Sequence, residues 1–284
     1  MLCLRVWCER QSRKATSKMF NNKMTMLILS CGLFSDLWDA HVYQLEKYWA
    51  DRGMDTYIVT DKRQDTSYEN VKVIAAGDGV EFTDRLKYAL EQIESEYIFI
   101  TLDDYFLIET VSNDKINTLL KLMDERGYDY IRLFKRPTKA KGKKVEGYKK
   151  INDVKIDRGY SVNLYSGIWR KDFLYSTLRE SLNPWVYEVR LHKVAVEIGA
   201  KCAVSNNREF VILDVVRKGK ILNKANNYFK KHDIYHGDRP VHTRWYEFKL
   251  GVRTWGNRIM PRFVVNVVRK FMIKRGHHYY SQDV

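Results

Sequence analysis

Apolar runs of strand length alternate with amphipathic, helix-like stretches over residues 26–134, and this alternation constrains the fold most strongly. The expected strands are 26–31, 55–61, 71–76, 97–102 and 128–134, and the expected helices are 36–53, 81–96 and 114–127. Strands that alternate with helices pair in parallel, with the helices covering the sheet. The sequence therefore predicts an α/β fold with a mostly parallel mixed sheet flanked by helices.

The second half of the chain is less regular. A basic segment of low hydrophobicity at 135–158 predicts a long loop. A strand and turn are expected over 159–169, and helices over 171–181 and 183–199. We therefore expect one domain over residues 25–225, a basic N-terminal extension at 1–24 that is dispensable if translation starts at an internal Met, and a basic helical segment at 226–284.

The net charge of +15 lies at the two ends of the chain. Residues 1–24 carry +5, residues 25–214 carry −2, and residues 215–284, with 16 basic and 4 acidic residues, carry +12. A nucleic-acid-binding domain more often has its positive charge spread over a folded face, so this distribution argues against a nucleic-acid partner. A basic tail on a neutral body is typical of an element that docks on an acidic surface.

Residues 261–275 form an amphipathic pattern. Val264, Val267 and Phe271 lie on its apolar side, and Arg262 and Lys274 on its basic side. Such a helix either packs on the protein body or lies on an anionic membrane surface. No apolar run reaches the ~18 residues of a membrane span, and no signal peptide is recognisable. The four cysteines form no CxxC pair, which favours free thiols in the cytoplasm and no zinc site.

Two adjacent carboxylates, Asp103 and Asp104, follow the apolar strand 97–102. Ligands of parallel α/β sheets bind outside the carboxyl ends of the strands, which is where these residues are expected. Oxygen ligands suit Mg²⁺ or Mn²⁺, and either ion can hold a diphosphate. The alternative is that the pair caps a helix or forms a salt bridge.

Two further stretches carry candidate functional residues, "YSGIWRKDFL" (165–174) and "NPWVYE" (183–188). Gly167 would let a ligand approach the backbone closely. Trp169 and Trp185 would stack on a sugar ring, although each alone is more typical of a core residue. Glu188, one helical turn after Pro184, is the right group to accept a proton from a hydroxyl, unless it is an ordinary surface residue.

Four stretches in order resemble a family of bacterial glycosyltransferases of the GT-A fold that act in the synthesis of capsule, O-antigen and related surface polysaccharides. The stretches are "SDLWDAHVYQLEKYWADRGMDTYIVTD", "YIFITLDDYFL", "SGIWRKDFL" and "NPWVYE". The similarity covers roughly residues 26–225. It implies a nucleotide-sugar donor, a lipid-linked glycan acceptor, and a cytoplasmic enzyme peripheral to the inner face of the membrane.

The resemblance also implies residue roles. Asp103 and Asp104 match the acidic motif that holds the metal and the sugar nucleotide, although the family's usual pattern has one residue between the two Asp. The residues expected to contact the donor are Cys31, Gly32, Thr60, Asp61, Arg85 and Lys220. The residues expected to lie near the acceptor are Tyr165, Gly167, Trp169 and Trp185. Glu188 matches the catalytic base of inverting members, with Asp104 as the second catalytic residue.

Two other functions stay open on the sequence alone. A metal-dependent nuclease or nucleic-acid-binding protein would use Asp103, Asp104 and the basic segment 135–158. A catalytically inactive scaffold of the same fold is the third possibility.

Overall fold

The computed structural model describes residues 23–134, 142–156 and 161–259, together with 264, 267, 271 and 273–275. The chain folds into two compact units. The first ends at Leu213, and the second begins at Asp214. This division precedes the domain boundary that we expected at 225. The N-terminal extension lies outside the described residues except for its last two, as does most of the amphipathic pattern at 261–275.

The first unit is built on one eight-stranded sheet. Its strands are β1 (Met24–Leu29), β2 (Thr56–Thr60), β3 (Lys72–Ala75), β4 (Tyr97–Leu102), β6 (Tyr130–Arg132), β7 (Ile151–Val154), β8 (Gly167–Arg170) and β9 (Cys202–Ser205). The order across the sheet is β3-β2-β1-β4-β8-β6-β9-β7. Two short strands, β5 (Tyr105–Leu107) and β10 (Ile212–Asp214), form a separate sheet.

Six strands of the large sheet run in one direction, and β7 and β8 run in the other. The helices of this unit are α1 (Trp38–Trp49), α2 (Phe82–Glu91), α3 (Asn113–Arg126), α4 (Lys171–Ser176) and α5 (Pro184–Glu197). The helices bury apolar residues in two clusters, which share strands of the sheet. The α/β class and the mostly parallel mixed sheet between helices, as expected for a GT-A-like fold, are confirmed.

Two expectations about the middle of the chain are corrected. The segment 135–158 is not one continuous loop, because residues 151–154 form β7 and pair with β9. The strand expected from residue 159 begins only at Gly167. Residues 135–141 and 157–160 lie outside the described part of the chain.

The second unit begins with a hairpin of β11 (Val216–Arg217) and β12 (Lys220–Ile221). Lys218 and Gly219 both have positive φ, the backbone conformation of a tight two-residue hairpin turn. Helices α6 (Asn223–His232) and α7 (Arg244–Ile259) follow. In the described part of the chain, no helix combines the length and apolar character needed to cross a bilayer.

Candidate active site

The carboxyl ends of β1, β2 and β4 meet at one edge of the sheet. Leu29 of β1 pairs in register with Val59 of β2 and with Leu102 of β4. The residues that follow these strands, 30–32, 61 and 103–104, therefore lie side by side. This is the edge at which open α/β sheets bind their ligands.

Asp103 is almost completely buried, at 7% exposure. Its carboxylate accepts a hydrogen bond of 2.5 Å from the Ser30 hydroxyl, and the Trp38 indole N–H donates to that same hydroxyl oxygen at 2.8 Å. The backbone N–H of Asp103 donates to the Leu29 carbonyl at 3.2 Å. Asp103 is thus fixed at the end of β4 by its surroundings.

His41 makes a further contact to the backbone of Asp103. Its ring is fully buried, and this burial lowers its pKa from 6.5 to about 4, so the ring is neutral at pH 7. The Nδ1 atom lies 3.0 Å from the Asp103 carbonyl oxygen. Because a carbonyl can only accept, Nδ1 carries the ring hydrogen and donates it.

Asp104 is more accessible than Asp103. It lies in the turn between β4 and β5 and is partly exposed. The structure therefore gives the two adjacent carboxylates different environments. Asp103 is held within the fold, and Asp104 has more of its surface open to a ligand.

Asp61 organises the neighbouring loop after β2. Its Oδ1 accepts hydrogen bonds from the Gly32 backbone N–H at 2.7 Å and from the Thr60 hydroxyl at 3.2 Å, and it lies 3.5 Å from a guanidinium nitrogen of Arg85. Burial raises the pKa of Asp61, but these hydrogen bonds and the Arg85 charge outweigh it and hold the pKa below its usual value. The carboxylate is therefore ionised at neutral pH.

The expected donor-binding residues of the first unit thus lie together. Cys31 is half-buried, and its thiol pKa is raised first by burial and then by the negative charge of Asp103. The positive charge of Arg85 lowers the pKa of this thiol, and the negative charge of Asp61 raises it. Thr60 differs from the others because it is completely buried, so it orients Asp61 and has no surface of its own to contact a donor. The donor-binding role of the set stays a prediction.

Glu188 lies in the second turn of α5. Asn183 is the N-cap of this helix, and its side chain accepts hydrogen bonds from the backbone N–H groups of Trp185 and Val186. The Glu188 carboxylate accepts a hydrogen bond of 3.2 Å from the Leu164 backbone N–H. Burial raises the pKa of Glu188 more than this bond lowers it, which is the direction that suits an acid–base catalyst.

A short segment, residues 163–166, connects Glu188 to the turn that carries Asp104. Because β8 runs antiparallel to β4, the residues before β8 lie beside the carboxyl end of β4. Ser166 shares a hydrogen bond of 3.0 Å with Thr101 of β4. The Tyr165 ring stacks on Tyr105, with centroids 6.0 Å apart. Glu188 and Asp104 therefore flank the same segment at the same edge of the sheet.

The structure places the four expected acceptor-binding residues differently. Tyr165 is partly exposed and also stacks on Phe134 at 5.2 Å. Trp185 is 57% exposed at the start of α5. Trp169, by contrast, has no exposed surface and packs on Tyr130, with ring centroids 4.0 Å apart. A fully buried ring has no face to stack on a sugar, so Trp169 is a core residue in this structure.

Gly167 was expected to let a ligand approach the backbone, but the structure explains the glycine in another way. A Cβ atom at this position would lie 2.6 Å from a ring carbon of Tyr130 and 2.8 Å from the Ile131 carbonyl oxygen. Both neighbours belong to β6, next to β8 in the sheet. The glycine is therefore explained by close strand packing and not by approach of a ligand.

Lys220 lies on β12 in the second unit and is exposed. Its predicted contact with the diphosphate stays a prediction.

The metal site also stays a prediction. In the part of the chain that the structure describes, no group of three or more His, Cys, Asp or Glu side chains could hold a metal ion. Asp104, which is partly exposed, fits an ion that takes its other ligands from a bound diphosphate and water. Asp103 fits less well, since its Oδ2 accepts the Ser30 hydroxyl.

Sequence reasoning missed several residues that shape this site. Trp38, His41 and Gln44 hold residues 103–107, Trp38 through the Ser30 hydroxyl, and Tyr105 and Phe134 contact Tyr165. The spacing of three between Trp38, His41 and Gln44 was a readable signal. It places two polar side chains and an indole N–H on one face of a helix whose other buried residues are apolar or aromatic.

No protein-family model matches the chain, and no curated protein matches its sequence. Solved structures show distant similarity. TarS 1–349 from S. aureus, solved in complex with UDP-GlcNAc, has 13% identity and a TM-score of 0.47, and the match covers 70% of this chain and 60% of that one. A UDP-glucose pyrophosphorylase complexed with UDP-glucose has 13% identity and a TM-score of 0.47, over 74% of this chain and 99% of that one.

The bifunctional IspDF from Campylobacter jejuni has 15% identity and a TM-score of 0.39, over 68% of this chain and 52% of that one. This chain also spans only 59% of TarS 1–349 and 36% of the longer TarS structure. Similarity at this level assigns no activity to the chain.

Proposed function

We propose that this chain is a glycosyltransferase that moves a sugar from a nucleotide-sugar donor to a hydroxyl of a lipid-linked glycan acceptor, with inversion, in surface-polysaccharide biosynthesis. One observation carries the proposal. Glu188, a carboxyl with a raised pKa, and Asp104, a partly exposed residue, flank the segment 163–166 at the carboxyl edge of the sheet. The resemblance of the sequence supplies the reaction type, and this geometry supports it.

The proposed chemistry is a single displacement. Glu188 accepts the proton of the acceptor hydroxyl while that oxygen forms a bond to the anomeric carbon of the donor. The bond between the anomeric carbon and the diphosphate breaks on the opposite side, and the nucleoside diphosphate leaves. Asp104 would hold a divalent ion on the donor side, and the ion would stabilise the negative charge of the departing diphosphate.

The loop after β2 supports a nucleotide at the same edge. Gly32 is fixed by its hydrogen bond to Asp61, and a Cβ atom on it would lie 3.1 Å from Cβ of Lys62. The side chain of Arg85 is held beside Asp61 and is 12% exposed. We propose that this loop contacts the nucleoside and that Arg85 contributes positive charge near the diphosphate.

Nucleotide binding is the first test. At a ligand concentration of 100 times Kd, binding stabilises the folded state by about 2.7 kcal/mol, which raises the Tm of a domain of this size by about 5–10 °C. We expect such a rise with one of UDP, GDP, CDP, CMP or dTDP in the presence of Mn²⁺. Asp104→Asn should lose the part of the rise that depends on Mn²⁺, measured by thermal shift.

Asp55→Asn is the matched control, because Asp55 is exposed and precedes β2, at the opposite edge of the sheet. It should keep the full nucleotide-dependent rise. If no nucleotide changes the Tm of the wild type, the transferase proposal fails, and an inactive scaffold or a nucleic-acid-binding protein becomes the better explanation.

Docking of the C-terminal unit on an anionic membrane is the second part of the proposal. On α7, Trp245, Phe248 and Val252 share one face and are between 52% and 61% exposed. Trp245 and Phe248 stack at 5.4 Å, and the Lys249 ammonium lies 5.1 Å from the Trp245 ring centroid. Exposed aromatic residues beside cations are typical of helices that lie in a membrane interface.

Flotation with vesicles tests the docking. We expect the protein to bind vesicles of phosphatidylglycerol and phosphatidylcholine, and to bind pure phosphatidylcholine much less, since each Lys or Arg near an anionic surface contributes ~1 kcal/mol. Trp245→Ser with Phe248→Ser should reduce binding at least about tenfold, because the buried apolar area is lost. Tyr43→Ser, an exposed aromatic residue of the first unit, is the control. Equal binding by all three proteins would contradict this docking surface.

A further inference from the structure

Helix α1 presents three buried hydrogen-bond donors to the chain around Asp103 and Asp104. Trp38, His41 and Gln44 are spaced by three residues and therefore share one face of the helix. Their exposures are 0%, 3% and 0%. The helix packs against β5, the strand that follows Asp103 and Asp104.

Each donor holds a different point of the segment 103–107, Trp38 indirectly through Ser30. The Trp38 indole N–H donates to Ser30 Oγ, whose own hydrogen goes to the Asp103 carboxylate. His41 Nδ1–H donates to the Asp103 backbone carbonyl at 3.0 Å. Gln44 Nε2 donates to the Leu107 carbonyl at 3.1 Å. The side chain of Asp103, its backbone and the far end of β5 are thus all fixed by one helix.

The choice of residues distinguishes this arrangement from ordinary packing. The neighbouring buried positions of α1, such as Val42 and Leu45, are apolar and need no partners. Burying a polar group without a hydrogen-bond partner destabilises the folded state. Three buried donors on one face are therefore tolerated only when an acceptor lies within reach of each. The His41 ring also lies edge-on to the Phe106 ring, with centroids 5.5 Å apart, which limits its rotation.

We propose that Trp38, His41 and Gln44 are positioning residues that set the direction in which Asp104 faces the donor. Asp104 follows the fixed Asp103 directly, so a backbone that cannot rotate at Asp103 holds Asp104 in one orientation. This inference rests on the proposed function for the role of Asp104. The clamp itself, meaning the three donors and the segment 103–107, is a property of the fold.

The test compares substitutions within one helix. His41→Leu removes the donor, whereas His41→Asn retains it, because the Asn amide nitrogen takes nearly the position of Nδ1. Val42→Ala is the matched control, since it removes packing from the same helix without touching the turn. Titration of the full chain with UDP, GDP, CDP and dTDP in the presence of Mn²⁺ gives Kd, and thermal unfolding gives Tm.

We expect His41→Leu to raise Kd at least about tenfold, His41→Asn to stay close to the wild type, and Val42→Ala to lower Tm while leaving Kd unchanged. Trp38→Phe, which keeps an aromatic side chain but removes the N–H that bonds Ser30, should resemble His41→Leu. If His41→Leu changes Kd no more than Val42→Ala does, the residues only support the fold and the proposal is overturned.

Amide hydrogen exchange separates failure of the clamp from failure of the proposed function. If the wild type binds none of these nucleotides, the transferase assignment fails while the clamp is still measurable. Faster exchange over residues 103–107 in His41→Leu, with no change there in Val42→Ala, would support the clamp. Equal exchange in both variants would overturn it.

Discussion

Replacing Glu188 with glutamine is expected to lower the turnover number about 10²–10⁴-fold, the typical effect of removing a general base. The variant keeps an oxygen that accepts the hydrogen bond of the Leu164 backbone N–H, so the start of α5 and the segment 163–166 stay in place. What it loses is the capacity to take a proton. The measurement is kcat at saturating donor and acceptor, once the nucleotide is known.

The pH dependence gives a second readout of the same residue. Burial raises the pKa of Glu188, so the folded protein holds this proton more tightly than the unfolded chain does. Between the unfolded and the folded pKa the folded state binds more protons, and stability therefore falls as pH rises through that window. The rate should depend on pH in the opposite way. It should fall as the pH drops through the folded-state pKa, because the base becomes protonated.

Glutamine cannot ionise, so Glu188→Gln should be at least as stable as the wild type at pH 7 and should lack this part of the pH dependence. Denaturant unfolding at pH 5 and pH 7.5 measures both effects. Glu197→Gln, at the far end of the same helix and exposed, is the matched control and should keep its activity. Near-normal turnover in Glu188→Gln would remove Glu188 from the mechanism.

Much of the sheet could be predicted from periodicity. The strands β1, β2 and β4 and the helices between them follow from apolar runs and helical spacing. The rule that ligands lie at the carboxyl ends of parallel strands then located the loops after β1, β2 and β4. Asp61 and Asp103 lie at that edge because their strands, β2 and β4, run parallel to β1 on either side of it.

A strand was expected over 159–169, but the place and the antiparallel direction of β8 in the sheet could not be predicted from the sequence. The strand β8 is four residues long, and it inserts between β4 and β6, which are far from it along the chain. Strand order of this kind depends on long-range pairing, which leaves no periodic signal. Yet β8 determines which residues meet at the site. Its antiparallel direction brings Leu164 and Tyr165 to the end of β4, where Asp103 and Asp104 lie, and Glu188 is hydrogen-bonded to Leu164.

Residue type also could not tell exposed from buried aromatic residues. Trp169 and Trp185 both lie in stretches that resemble the transferase family, yet one has no exposed surface and the other is more than half exposed. Trp169 follows Gly167 by two positions on a strand, so both face the same side of the sheet. That side is the core formed with Tyr130, and only the three-dimensional neighbours establish it.

Gly167→Ala is expected to destabilise the first unit by about 1–3 kcal/mol, because an added methyl group in a packed core forces its neighbours to move. The new Cβ would meet Tyr130, which is held by ring contact with Trp169 and by a hydrogen bond of 3.1 Å from its hydroxyl to the Asn163 carbonyl. It would also meet the Ile131 carbonyl oxygen, which is backbone and cannot rotate away. The strands β6 and β8 must therefore separate.

Thermal unfolding should show a fall in Tm of about 3–10 °C. Gly251→Ala is the control, since a Cβ on this exposed glycine of α7 would meet nothing within 4 Å, and alanine in a helix interior is favoured by up to ~1 kcal/mol. A ligand-approach role for Gly167 predicts the reverse pattern, with Tm unchanged and nucleotide or acceptor binding lost. That result would mean that β8 yields to the extra methyl group and that the backbone at Gly167 is open to the substrate after all.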